Sequence, residues 1–194
     1  FRAGIAEVLK TFILFDAEYY RKAVDYFARM EAHLRKAGTC CGGECVYGQE
    51  ELTEIIRKTA LYKCAVVERD AFEKGERRLL NLGHTLGHSI EKNSNFTLSH
   101  GHAVAIGMHL IAKVAERRGL AEKGLAETIR QALLHNNLPT STSYTAEEIA
   151  AGVLKDKKRR GGEISFVLPT KIGHCEIVKI PTEEVLDLVR TALA

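Results

Sequence analysis

The sequence predicts a mainly α, multi-helical domain with one small β-hairpin near the C-terminus. Two observations lead to this fold class. Apolar residues recur at the three- and four-residue spacing of buried helix faces along most of the chain. Two β-rich segments, 163–169 and 174–180, then flank a turn that contains Gly173. With 194 residues, 45% of them hydrophobic, the chain can bury a real core, and we treat residues 1–194 as one domain.

The predicted helices follow one another in chain order. Residues 3–15 form a strongly apolar helix, and residues 16–37 form a more amphipathic one. Thr145 and Glu148 have the spacing of a capping box, so a later helix begins there. The remaining segments with helical periodicity cover residues 49–69, 73–90, 103–118, 122–135 and 181–194.

Composition excludes several classes of function. The net charge of +3 is too small to indicate a nucleic-acid-binding protein. No apolar run reaches the roughly 18 residues that span a bilayer, and no signal peptide is visible. Five unevenly spaced cysteines are typical of a reducing cytosol, so we expect a cytoplasmic protein. The chain opens at Phe1 without an initiator Met, which is typical of a fragment or a processed piece.

Two segments with unusual composition have no predicted function: one is interpreted as an ordinary loop and the other as a solvated surface. The glycine-rich loop 38–48 carries Cys40, Cys41 and Cys45, but it has no CxxC pair and no fourth ligand at the usual spacing. The basic run 155–162 lacks interleaved aromatic residues, so it is typical of a solvated surface.

A polar stripe marks the segment 73–90. If this segment is one helix, Glu73, Arg77, Asn81, His84 and His88 share a stripe about 80° wide. An acid, a guanidinium, an amide and two imidazoles can bind anions, transfer protons and hold a metal. The alternative is a polar helix face with two incidental histidines.

Glu7, His84 and His100 are candidate metal ligands. Glu7 interrupts an apolar helix, where a carboxylate is costly to bury unless it is paired or binds a cation. His100 stands at the entrance of the helix predicted near residue 103. One carboxylate and two imidazoles are a common ligand set of catalytic zinc. Spacing alone does not show that the three side chains meet.

Other polar residues suggest what such a metal would act on. His88 lies one turn beyond His84 and can transfer protons near neutral pH, and Glu73 is a possible second base. Four further side chains supply positive charge for a carboxylate or phosphate: Lys10, Lys63, Arg77 and Lys157. The residues therefore indicate a metal-dependent site for a small anionic substrate, without fixing the reaction.

Four stretches resemble one enzyme family in the family's own order. They are GIAEVLK at 4–10, LLNLGHTLGHSIE at 79–91, HGHAVAIGM at 100–108 and DKKRRGGEISFVLPTKIG at 156–173. Together they resemble the C-terminal helical domain of 3-dehydroquinate synthase, within the sugar-phosphate cyclases. The N-terminal NAD-binding α/β domain of that family is absent from this sequence.

The resemblance implies a role for each candidate residue. The metal, Zn²⁺ or Co²⁺, would be bound by Glu7, His84 and His100. The proton-handling residues would be His88 and Glu73. The positions that correspond to substrate-binding residues are Lys10, Lys63, Arg77, Asn81 and Lys157, with Lys158 as a rival of the last.

The resemblance also implies a reaction. A carbon–oxygen lyase of the shikimate pathway, which leads to chorismate and the aromatic amino acids, would use NAD⁺ to oxidise a hydroxyl of DAHP (3-deoxy-D-arabino-heptulosonate 7-phosphate) transiently. Phosphate elimination, reduction and ring closure would then give 3-dehydroquinate. We expect a homodimer in the full-length enzyme and no turnover by this chain without its NAD-binding domain. Three alternatives are another sugar-phosphate cyclase such as 2-deoxy-scyllo-inosose synthase, a metal-dependent polyol dehydrogenase, and a non-catalytic binding domain.

The sequence departs from the family pattern at two places near the site. His102 stands where the family usually has Glu, which puts a second imidazole beside His100; we expect it to point away from the metal. The pair Asp70-Ala71 replaces the usual Asp-Glu.

Overall fold

The computed structural model describes residues 1–37, 48–157 and 162–194, without the side chains of residues 36–37 and 156–157. The strands in these ranges are β1 (Glu163–Lys171) and β2 (His174–Pro181), and short 3-10 helices cover Glu76–Asn81 and Thr182–Glu184. The α-helices are α1 (Arg2–Phe15), α2 (Ala17–Ala37), α3 (Gln49–Arg69), α4 (His84–Asn93), α5 (His100–Arg117), α6 (Leu125–His135), α7 (Ala146–Lys157) and α8 (Val185–Leu193). The predicted fold class is confirmed. The three loop cysteines lie outside the described residues.

Helix α5 is the centre of the domain. Its side chains are apolar on almost every side, and residues such as Val104, Met108 and Val114 are fully buried. A helix of this kind is stable only when other elements cover its whole circumference. Four helices, α1, α4, α6 and α8, and strand β1 pack against it. The start of α5, where His100 stands, is therefore held close to α4 and α1.

The hairpin closes one side of the domain. β1 and β2 pair antiparallel from Glu163 opposite Pro181 to Lys171 opposite His174, and Gly173 in the turn has a φ of 88°. The alternation of β1 buries Ile164 and Phe166 and leaves Glu163 at the surface. One face of β1 therefore belongs to the core, and Glu163 and Ser165 line the cleft described below.

Helix α7 starts as predicted. The Thr145 N–H donates to Glu148 Oε2 at 2.8 Å, and the Glu148 N–H donates to Thr145 Oγ1 at 3.2 Å. This reciprocal pair satisfies two N–H groups that would otherwise lack helical partners. The capping box is confirmed.

The prediction of one helix over residues 73–90 is wrong. The carboxylate of Asp70 accepts hydrogen bonds from the backbone N–H groups of Lys74, Gly75 and Arg77, at 2.8–3.0 Å, so the chain turns before a 3-10 helix starts. Gly83 then adopts a left-handed conformation, with φ 76°, and α4 begins only at the next residue. A Cβ on Gly83 would lie 2.8 Å from the Val104 carbonyl oxygen of α5. Close packing of α4 against α5 therefore requires the break.

Along the described ranges of the chain, no helix has the length and apolarity needed to cross a membrane.

Candidate metal and substrate site

Three imidazoles meet where α4 and α5 pack together. His84 and His88 lie one turn apart on α4, and His100 is the first residue of α5. The ring centroid of His84 lies 5.2 Å from that of His88 and 5.1 Å from that of His100. One ring nitrogen from each of the three lies within 4.8 Å of the others. Donor atoms at these separations can surround a single cation.

The two carboxylate oxygens of Glu7 in α1 have different neighbours. One faces the histidine cluster, and the other contacts two lysines. Glu7 Oε2 accepts from Lys63 Nζ of α3 at 3.0 Å and pairs with Lys10 Nζ at 3.1 Å. Its Oε1 is buried, lies 3.9 Å from His84 Nε2, and has no hydrogen-bond partner among the described residues. A buried carboxylate oxygen without a partner is costly, and a cation beside His84 would relieve that cost.

Burial and neighbouring charges set the protonation states of Glu7 and His84. Burial alone would raise the pKa of Glu7, but the ammonium groups of Lys10 and Lys63 outweigh it and lower that pKa to about 2. Burial, with the charge of Lys10 adding to it, lowers the pKa of His84 to about 4. At neutral pH Glu7 is therefore an anion and His84 is neutral, the forms in which both side chains bind metals.

Hydrogen bonds select which ring nitrogen is available on two of the histidines. Nδ1 of His84 lies 3.0 Å from the Leu82 carbonyl oxygen, and Nδ1 of His100 lies 3.2 Å from Glu91 Oε2. Since a carbonyl or carboxylate oxygen only accepts, each Nδ1 carries the proton and each Nε2 keeps its lone pair. The donor set therefore fits a divalent cation such as Zn²⁺.

A cleft of about 840 Å³ opens beside the imidazoles. Glu73, Asn81, His84 and His88 line it, and Asn81 Nδ2 donates to Glu73 Oε1 at 3.0 Å. The cleft is also lined by polar residues that were not among the predicted site residues: Arg78, Thr85, Ser89, Lys92, Glu163, Ser165 and Lys179. Three cationic side chains, Arg78, Lys92 and Lys179, outnumber the two carboxylates of Glu73 and Glu163, so the cleft suits an anionic ligand.

Most of the chain matches one known protein family. Residues 4–159 match the family described as 3-dehydroquinate synthase C-terminal. The chain belongs to this family. A 3-dehydroquinate synthase from Synechocystis sp. is 38% identical over 189 residues, which cover 96% of this chain and 49% of that protein. The chain thus spans about half the length of the curated relatives it matches.

Solved structures show the same fold. ValA, the 2-epi-5-epi-valiolone synthase of Streptomyces hygroscopicus subsp. jinggangensis 5008, was solved with NAD⁺ and Zn²⁺ bound. It is 25% identical, with a TM-score of 0.76, and the match covers 98% of this chain and 50% of that one. A 2-deoxy-scyllo-inosose synthase shares the fold at a TM-score of 0.70 and 19% identity, over 97% of this chain and 50% of that one.

The structure brings most of the residues expected from the 3-dehydroquinate synthase family into one region. Lys10 and Lys63 both contact Glu7, which lies beside His84. The histidine cluster adjoins the cleft that Glu73 and Asn81 line. His102 is half-buried and does not belong to the histidine cluster found among the described side chains. The side chain of Lys157 lies outside the described residues.

Arg77 and Arg78 differ from the sequence-based expectation. The Arg77 guanidinium donates to the Ala71 carbonyl at 2.9 Å, whereas Arg78 lines the cleft and its Nε donates to the Glu73 carbonyl at 3.1 Å. The reason is the helix type. A 3-10 helix has three residues per turn, so Arg78, three residues before Asn81, shares its face. An α-helical periodicity selects Arg77 instead, and only the local hydrogen bonds reveal the difference.

Proposed function

We propose that this chain is the metal- and substrate-binding half of a 3-dehydroquinate synthase, which converts DAHP to 3-dehydroquinate and phosphate. The observation that carries the proposal is the unpartnered Glu7 Oε1 beside the histidine cluster, at the end of a cationic cleft. The 38% identity to a 3-dehydroquinate synthase over nearly the whole chain supports the choice of reaction.

Glu7, His84 and His100 are the proposed ligands of Zn²⁺ or Co²⁺. They come from α1, α4 and α5, and burial together with hydrogen bonding leaves each with an available lone pair. When bound, the metal would act as a Lewis acid on a hydroxyl or carbonyl oxygen of the substrate. The ValA structure, which was solved with Zn²⁺ bound, supports the choice of metal.

His88 and Glu73 are the proposed proton-transfer groups. Both line the cleft, and Glu73 is held in place by the amide of Asn81. His88 also belongs to the histidine cluster and could itself bind the metal, so its role needs a direct test. We expect His88→Ala to bind Zn²⁺ like the wild type while phosphate release falls by about 10²-fold or more. Loss of Zn²⁺ binding in this variant would make His88 a ligand instead.

Substrate anions are bound, in this proposal, by Lys10, Lys63, Arg77, Asn81 and Lys157. Lys63 supports it most directly, since its side chain is 35% exposed and its ammonium lies next to the proposed metal ligand Glu7. An ammonium there can pair with a carboxylate or phosphate of a substrate that reaches the metal. Arg77 would first have to release the Ala71 carbonyl.

The proposal includes an N-terminal NAD-binding domain. The relatives are about twice as long as this chain, and ValA was solved with NAD⁺ bound. We infer that NAD⁺ is the hydride acceptor, that the complete enzyme is a cytoplasmic homodimer, and that this chain alone does not turn over. Turnover by the purified 194-residue chain with DAHP and NAD⁺ would contradict the last point.

A second candidate is another sugar-phosphate cyclase. The observation that favours it is the match to ValA, which has a different product and a TM-score of 0.76. The higher identity to 3-dehydroquinate synthases over the same residues favours the first candidate.

The deciding experiment follows release of inorganic phosphate from DAHP by the full-length protein, with and without NAD⁺ and Zn²⁺. His84→Ala serves as the control. Release that needs both NAD⁺ and Zn²⁺ and is lost in His84→Ala supports the proposal. Turnover of glucose 6-phosphate but not DAHP would assign the protein to the second candidate, as an enzyme of the 2-deoxy-scyllo-inosose synthase kind, and no turnover of DAHP by folded, metal-loaded protein would refute the first candidate.

A further inference from the structure

The turn between α4 and α5 is held by the last part of α4. Asn95 and Phe96, neither of them glycine, both adopt left-handed backbone conformations, with φ of 50° and 60°. Such conformations persist only when surrounding contacts impose them. The Glu91 carbonyl supplies two of these contacts, accepting from Ser94 Oγ at 2.7 Å and from the Phe96 N–H at 3.1 Å. The turn then delivers the chain to His100.

The backbone at the start of α5 is also fixed from the opposite side. Gly101 packs directly on the carbonyl of Ala3 in α1, where a Cβ would overlap the oxygen. The position of the His100 Cα is therefore set by main-chain packing on both sides. The orientation of its ring is not set in this way, because the side chain is 45% exposed.

The side chain of Glu91 supplies that orientation. Its carboxylate is only 17% exposed, and its Oε2 accepts from His100 Nδ1 at 3.2 Å. We propose that Glu91 is a positioning residue for His100: it orients the ring and keeps the proton on Nδ1, so that Nε2 is available to a metal ion. The inference rests on the proposed metal site.

His84, the other proposed histidine ligand, is oriented by a backbone group and not by a carboxylate. His84 is 14% exposed, and its Nδ1 donates to the backbone carbonyl of Leu82. No side-chain substitution removes that acceptor. Removing the Glu91 carboxylate therefore releases one ligand and leaves the other in place. The Glu91 carbonyl that holds the turn is likewise unaffected by substitution, so the variants are expected to fold.

The test measures Zn²⁺ affinity of the full-length protein by competition with a chromophoric chelator. We expect Glu91→Ala to weaken binding by about 10–100-fold, as for other residues that hold metal ligands. Glu91→Gln should lose less, about threefold or more, because its amide oxygen can still accept from Nδ1. The control is Glu163→Gln, which removes a carboxylate from the rim of the same cleft, where it pairs with Lys179. We expect it to bind like the wild type.

A second readout addresses the imidazole directly. In metal-free wild-type protein, ¹⁵N NMR should show His100 protonated on Nδ1, and in Glu91→Ala the two tautomers should exchange. Equal Zn²⁺ affinity of Glu91→Ala, Glu163→Gln and the wild type would overturn the inference while leaving the proposed metal site standing. If Glu91→Ala does not fold, wild-type affinity in Glu91→Gln overturns it. No Zn²⁺ binding by the wild type would instead refute the metal site itself, and the inference with it.

Discussion

Glu7 Oε1 and His84 Nε2 lie 3.9 Å apart, too far for a hydrogen bond and close enough to share a cation. The two residues are 77 positions apart in the chain, on α1 and α4. Both atoms present a lone pair at neutral pH, because lysines keep Glu7 ionised and burial keeps His84 neutral. Two facing acceptors with no proton between them are unfavourable unless a cation joins them. This pair is why we place the metal here.

Zn²⁺ should therefore stabilise the folded protein. A ligand at about 100 times its dissociation constant adds about 2.7 kcal/mol to the free energy of unfolding, which corresponds to a Tm increase of about 5–10 °C for a domain of this size. Differential scanning calorimetry with Zn²⁺ and then with a chelator measures the shift and its reversal.

The matched variants for this prediction are His100→Ala and His174→Ala. His174 is exposed on β2 and contacts Thr170, far from the cluster in sequence. We expect the Zn²⁺ shift to disappear in His100→Ala and to persist in His174→Ala. An equal shift in both variants would exclude His100 as a ligand.

Removing the charge of Glu7 should destabilise the metal-free protein. The Lys10 side chain is 3% exposed, so Glu7→Gln leaves a buried ammonium without its counter-ion. We expect the free energy of unfolding to fall by about 2–3 kcal/mol. The control is Glu18→Gln, which breaks an exposed pair with Lys22 and should leave the free energy of unfolding almost unchanged. Urea denaturation measures both, and similar losses would show that the Lys10–Glu7 pair contributes little.

Gly83→Ala should lower the free energy of unfolding. The new Cβ would meet Met108 and the Val104 carbonyl, and the residue would keep a left-handed φ. We expect a loss of about 2–4 kcal/mol, from backbone strain and overpacking together. Gly119→Ala has a similar φ, 69°, with open space around its Cβ, and should lose only the backbone part, about 1 kcal/mol. If urea denaturation shows the same loss in the free energy of unfolding for both variants, α4 can move away from α5 without cost.

The metal-free protein should lose stability as the pH is lowered through a window that the pKa of His84 determines. Its pKa is about 4 when folded and 6.5 in the reference state, so the unfolded chain binds more protons between those values. Stability then rises with pH across this window and is lost as the pH falls from about 6.5 to about 4. His84→Gln should flatten the dependence there, as measured by urea denaturation at several pH values.

Glu7→Gln provides the comparison, because it acts in a lower window. The pKa of Glu7 drops from 4.5 to about 2 on folding, so the stability that it contributes is present above about pH 4.5 and is lost toward pH 2. The two variants should flatten different parts of the curve. Parallel curves for His84→Gln and the wild type between about pH 4 and 6.5 would contradict the assignment to His84.

Much of the fold could be read from local periodicity. The predicted helix at 49–69 coincides with α3, and the predicted start of α7 at a capping box and the C-terminal hairpin are confirmed. These features depend on residues within a few positions of one another, which the sequence displays directly. Chemical reasoning also selected Glu7, His84 and His100, because one carboxylate and two imidazoles on or beside apolar helices form a ligand set of catalytic zinc.

Contacts between distant segments decided the rest. Lys63 reaches Glu7 across 56 positions, and Glu91 holds His100 only because the turn after α4 folds back. The segment 73–90 is not one helix because the Asp70 carboxylate holds the N–H groups of Lys74 and Gly75 in a turn, and because Gly83, packed against α5, adopts a left-handed conformation. By itself, then, the sequence determined most of the elements and the candidate ligands, through short-range periodicity and the cost of burying charge. Only the tertiary structure decided which side chains meet, because that depends on packing and hydrogen bonds between elements far apart in the chain.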